Sequence, residues 1–261
     1  MTPRLTLCAL LGLAACRVDD APQDLNSAMH AAWTGFETYE AEDAAALVDT
    51  LHALVGGDTL AEDTRGALTP LTVDELGDIT LSPGQDPADA PGMLLVNPMA
   101  CALDDLAAVL VHLEQDELYP GVYLEYARVH DGDGEAFLAG QTDRLGWVSD
   151  MRVEILGAEY TEQVRGDIRR VTDGARPFLW ARTHLTAPAE FVDSDWTFEQ
   201  DYQIELFWER QPGDLVHAYG IWREMNVGGL SAEDEGFVNV TLNNMVDWDA
   251  QTEALCAEGQ P

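Results

Sequence analysis

Residues 202–209 read Tyr-Gln-Ile-Glu-Leu-Phe-Trp-Glu. Tyr202, Ile204, Leu206 and Trp208 alternate with Gln203, Glu205, Phe207 and Glu209, and a period of two marks a strand with one buried face. Pro212-Gly213-Asp214 supplies turn chemistry, and Leu215–Met225 runs back as a second strand. The first of this pair extends back to about residue 197. The same aromatic and β-branched texture recurs upstream at 122–129, 136–139, 146–155, 160–171 and 178–186. Asp131-Gly132-Asp133-Gly134 reads as a hairpin turn between the first two of these. Short connections join the segments, so an antiparallel meander of about six or seven strands is expected, long enough to curl.

Downstream, Val238, Leu242, Met245, Val246, Asp249, Thr252 and Cys256 recur at three and four, flanked by Trp248 and Leu255. This predicts a helix over 237–256, the natural cover for one face of a curled sheet. Upstream, Met93–Val96 is a short buried strand broken by Asn97-Pro98, and Leu103, Leu106, Ala107, Leu110 and Val111 place a helix over 102–114. Residues 56–92 are rich in Asp, Gly and Pro and read as a linker, with a helical turn or two at Thr72–Leu76. Residues 27–55 have helical spacing, a break near Gly35 or Tyr39, and a stop at Gly56-Gly57. The expected fold class is α+β: a curved antiparallel meander packed on a C-terminal helix, preceded by an N-terminal helical segment. The element order over 93–256 resembles the helix-grip fold of START-like lipid-binding domains, in which a curved sheet wraps a long C-terminal helix. It departs from that pattern in having one helix rather than two after the first strand. A lipocalin-like barrel or a half β-barrel is the alternative.

The N-terminus carries a different signal. Arg4 precedes an apolar run from Leu5 to Ala15, about 11 residues and too short for the about 20 that span a bilayer. Leu13-Ala14-Ala15-Cys16 resembles the lipobox of bacterial lipoproteins, where the cysteine thiol is acylated before cleavage. The resemblance implies a signal peptide over 1–15, a mature chain starting at lipidated Cys16, a tether over 16–26, the helical segment and linker over 27–92, and an α+β domain over 93–261. Two kinds of acyl attachment at one cysteine would give stable anchoring. Arg17 stands where, in enterobacterial sorting, Asp favours inner-membrane retention, which leans the expected localisation in the cell envelope toward the outer membrane.

Composition sets limits on function. The chain has 261 residues, 46% of them hydrophobic, with 48 acidic and 13 basic residues and a formal charge of -35. A core is affordable, and so negative a field disfavours nucleic-acid binding. Of the four cysteines, Cys8 leaves with the signal and Cys16 carries lipid, so Cys101 and Cys256 are expected to pair in an oxidising compartment. No GxSxG, HExxH, P-loop or dinucleotide fingerprint is present, so no catalytic residue, metal or cofactor is assigned. Asp131-Gly132-Asp133-Gly134-Glu135 can be read as a turn or as part of a calcium loop. His184 and His217, with Glu224 or Asp201, are either structural or an acid–base set. Arg165, Arg169 and Arg182 are either salt-bridged to neighbouring strands or an anion or partner patch.

These readings converge on a membrane-anchored envelope lipoprotein with a non-catalytic domain. An apolar or lipid-like ligand is expected between the sheet and helix 237–256, lined by Tyr202, Ile204, Leu206, Trp208, Trp222 and Trp248. The expected partners are the bilayer, through the acyl anchor at Cys16, the apolar small molecule, and an envelope protein. A structural or assembly lipoprotein acting through a protein-interaction surface, and an unrecognised hydrolase, remain as alternatives.

Overall fold

The computed structural model describes residues 22–155 and 157–259, so the expected signal peptide over 1–15 and the expected lipidation site Cys16 lie outside the described residues. Two helices open it, α1 (Leu25–Gly35) and α2 (Ala41–Leu54), followed by a short strand β1 (Thr64–Leu68) and one turn of helix, α3 (Val73–Leu76). Next come β2 (Gly92–Met99), α4 (Leu103–Val111), α5 (Gln115–Leu118), β3 (Tyr123–Asp131) and α6 (Gly134–Leu138). The meander continues through β4 (Arg144–Ile155), β5 (Ala158–Val171), β6 (Phe178–Leu185), β7 (Ala189–Phe191), β8 (Thr197–Gln211) and β9 (Asp214–Asn226), and the long helix α7 (Glu235–Glu258) closes the chain.

Every pairing in the sheet is antiparallel. It has nine strands in the order β1-β2-β9-β8-β6-β5-β4-β3, with β7 paired to β5 and β8. This corrects the expected six or seven. β1 and β7 are short and carry little alternation, and β2 joins the same sheet by pairing with β9. The strand expected at 136–139 is instead helix α6. The Asp133 carboxylate accepts the Ala136 N–H at 3.0 Å as an N-cap, and Phe137 turns fully inward. The cap engages the Asp133 carboxylate, and no cluster of three or more His, Cys, Asp or Glu residues that could hold a metal ion occurs among the described residues.

The β8–β9 hairpin is the spine of the molecule. Gly213 takes φ +80 at its turn, a backbone region where only glycine is unstrained. Both faces of β8 are covered. On one face, α1 and α2 pack against Trp180, Tyr202, Ile204, Leu206, Trp208 and Trp222. Gly220 lies beneath α1, where a Cβ would come 2.9 Å from Met29 Cε. On the opposite face, α4 and α7 pack against Leu179, Ala181, Phe207 and Leu215. A Cys101–Cys256 disulfide joins the segment before α4 to the last turns of α7, with Cα atoms 5.5 Å apart.

The N-terminal tract therefore shares one core with the sheet strands, and the expected linker carries an edge strand. Trp33 of α1 and Phe36 at its C-cap are fully buried, and Trp33 meets Trp222 edge-on at 5.9 Å. An Asp24–Ser27 capping box fixes the start of α1, with Ser27 N–H donating to Asp24 Oδ1 at 2.8 Å. The break falls between Gly35 and Ala41, where the sequence places it. No helix among the described residues is long and apolar enough to cross a membrane.

Candidate ligand-binding site

A cavity of about 310 Å³ lies between the sheet and α7. Its wall is built from the inward-facing positions of β3, β4, β5, β6 and β8, closed by Met245 and Trp248 of α7 and by Leu110 of α4. Apolar groups (Trp147, Val164, Ile168, Trp248) mix with Tyr123, Tyr126, Ser149, Thr183 and Gln203, and with three charged residues, Arg128, Glu162 and Glu205. The site is amphiphilic rather than oily. At roughly 30 Å³ per water-sized group, it holds about ten non-hydrogen atoms. That sits at the low end of the range for small-molecule sites, about 300–1,000 Å³.

Strand parity decides which residues reach it. Side chains alternate across a strand, so Gln203 and Glu205 face α7 while Tyr202, Ile204, Leu206 and Trp208 face α1 and α2. Five of the six expected lining residues (Tyr202, Ile204, Leu206, Trp208, Trp222) therefore sit in the core on the other side of the sheet, and of the six only Trp248 lines the cavity. The physical reason is that the most apolar parity of β8 is satisfied by the N-terminal helices, leaving the mixed parity for the cavity.

Arg165, Arg169 and Arg182 share one face of β5 and β6, and Arg169 and Arg182 both lie over the Phe36 ring, where the α1–α2 junction engages them. Arg182 is buried and its Nη2 donates to Glu37 at 2.6 Å. Arg169 donates to the carbonyls of Phe36 and Tyr39 at 2.6 and 3.0 Å, fastening the α1–α2 junction to β5. Arg165 stands apart, 3.9 Å from Asp131. His184 and His217 lie on opposite faces: His184 is in register with Tyr202, whereas His217 stacks on Phe207 at 4.1 Å. Burial, reinforced by Arg182 and Arg165, pushes the His184 imidazole down to about 4.

At the end of the cavity nearer β9, Glu205 belongs to a buried chain of polar contacts. His217 is fully buried, with Nε2 3.1 Å from Glu205 and Nδ1 2.8 Å from Asp249 of α7. Asn97 Nδ2 donates to the second Asp249 oxygen at 2.7 Å. Burial disfavours the imidazolium, but the Asp249 charge and the hydrogen bonds to both carboxylates outweigh it and raise His217 to about 9. At neutral pH His217 is therefore a cation donating from both nitrogens. This arrangement has no spare lone pair for base catalysis; it bolts α7 to β2 and β9. Asp201 and Glu224 take no part: Asp201 pairs with Arg223, and Glu224 accepts from Gln200.

At the other end, Arg128 Nε donates to Ser149 Oγ at 3.1 Å and Nη1 to the Leu110 carbonyl at 2.6 Å, holding the last turn of α4. Tyr126 and Ser149 hydroxyls are 3.0 Å apart. Burial raises the Glu162 carboxyl to about 7, with Asp201 adding to the rise and Arg223 opposing it. Sequence reading does not find Arg128, Glu162 or Glu205 as site residues. The available signal is polar side chains recurring at alternate positions, as at Asp201, Gln203 and Glu205 flanking Tyr202 and Ile204.

No protein family and no curated protein matches the chain by sequence. Solved structures do resemble it. A START superfamily protein from Mycobacterium smegmatis is 12% identical, with TM-score 0.40, covering 63% of this chain and 98% of that one. The lipid transfer and protein localization domain of human StarD13 is 10% identical, with TM-score 0.42, covering 77% and 86%. Human STARD10 is 12% identical, with TM-score 0.42, covering 76% and 70%.

Proposed function

We propose that this protein is a lipid-anchored protein of the cell envelope that binds a small amphiphile beneath α7. The carrying observation for binding is the cavity itself: about 310 Å³, bounded by two tryptophans, several tyrosines and three charged groups, in a chain whose other face is densely filled. The volume suits one short chain or one ring system and is too small for a lipid with two long acyl chains. 1-Octanol, with nine non-hydrogen atoms by its formula, is a suitable probe for about ten places. Calorimetric titration of the purified protein with 1-octanol should give saturable binding at one site. Val164→Trp, which places an indole in the cavity, should abolish it while leaving the protein folded. Equal binding by both proteins would move the site elsewhere.

Anchoring rests on the sequence at Leu13–Cys16, and outer-membrane placement on Arg17. In the native host, Cys16→Ser should shift the protein from the membrane to the soluble fraction and remove an acyl mass increment from the mature N-terminus. Unchanged fractionation and an unmodified wild-type mass would rule the anchor out.

A further inference from the structure

Three charged side chains line the cavity, and two are committed. Arg128 is held by Ser149 and by the Leu110 carbonyl of α4, and Glu205 by His217. Glu162 makes no hydrogen bond and no ion pair among the described residues, although it lies on the cavity wall. Around it are phenol rings: Tyr160 precedes it by two on the same face of β5, and Tyr126 stands on β3 across Met151 in register. Tyr123 packs on Tyr126 with ring centroids 4.8 Å apart. A half-buried carboxylate left unpaired is costly, and the faces of tyrosine rings attract cations. The opposite wall, Met245 and Trp248, is apolar.

Resting on the ligand-binding reading above, we propose that the cavity selects an organic ammonium, its charged nitrogen on Glu162 among the tyrosines and its hydrocarbon body against Trp248. A ligand carboxylate would have to use Arg128, whose guanidinium already serves the end of α4. The charged groups acting on Glu162 from other strands are Asp201 on β8 and Arg223 on β9, which pair with each other. α7 presents only Met245 and Trp248 to the cavity. With its carboxyl raised to about 7, Glu162 goes from about one-tenth ionised at pH 6 to about nine-tenths at pH 8, while an alkylamine stays protonated throughout.

The test compares n-octylammonium, 1-octanol and octanoate by calorimetry on the full-length protein and on Glu162→Gln. At pH 8, octylammonium should bind at least tenfold more tightly than octanol, with octanoate weakest. Glu162→Gln should bring octylammonium down to the octanol level and leave octanol unchanged. Between pH 8 and pH 6 the wild type should lose about tenfold in octylammonium affinity and little in octanol affinity. If octanol binds while octylammonium is no tighter, or if Glu162→Gln leaves octylammonium unaffected, ammonium selection is overturned and the ligand site stands. If none of the three binds, the ligand site falls with it.

Discussion

Asp249→Ala should cost about 3–5 kcal/mol in urea unfolding, the typical result of removing one partner from a buried ion pair. His217 and Asp249 are almost wholly excluded from solvent. Removing the carboxylate leaves a buried imidazolium with Glu205 alone and strips Asn97 of its acceptor. The pair also makes stability depend on pH. His217 is raised to about 9 when folded and returns to about 6.5 when unfolded. Its stabilising contribution is therefore complete below about pH 6.5 and is lost as pH climbs through about 9. The wild type should weaken between pH 7 and pH 10, and Asp249→Ala should show a flatter profile over that window. Replacing both partners with apolar residues, His217→Phe with Asp249→Leu, should recover much of the loss, since the cost lies in the unpaired charge. A loss below about 1 kcal/mol for Asp249→Ala would show that α7 is held by something else, such as the Cys101–Cys256 bridge.

Trp222→Ala should cost about as much, about 3–5 kcal/mol, by opening a hole in a packed core. Trp222 is fully buried, meets Trp33 edge-on, and its indole N–H donates to the Thr69 carbonyl at 2.8 Å. The informative part is what should not change. Trp222 is on the α1–α2 side of the sheet, so 1-octanol affinity measured well below the unfolding transition should match the wild type. If the variant instead loses octanol binding while remaining folded, the ligand lies on the α1–α2 side and the parity argument fails.

The contrast between those two substitutions shows what the sequence made legible. Alternation at Tyr202–Trp208 identifies a strand, and the stripe from Val238 to Cys256 identifies the long helix; both are present. Alternation cannot say which layer each parity meets, because β8 is covered on both faces. The heavy apolar parity went to the N-terminal helices, a consequence already latent in the large buried stripe Met29, Trp33 and Phe36, which needs a partner of its own. Asp249 stood in the apolar stripe of α7, and a carboxylate there requires a buried partner, but which strand supplies it depends on register. β1 escaped notice because Thr-Arg-Gly-Ala-Leu has almost no periodic signal and owes its extended form to pairing with β2. α6 escaped because Asp-Gly-Asp-Gly suits a hairpin turn as well as it suits a helix cap; the burial of Phe137 decides between them.

The most direct test of ligand binding beneath α7 is native mass spectrometry of the protein isolated from its own host, beside Val164→Trp prepared in the same way. The predicted result is a population of the wild type carrying one small amphiphile, released by organic extraction and absent from the variant. An adduct retained equally by Val164→Trp, or a bare wild-type chain that also fails to take up 1-octanol, would contradict it.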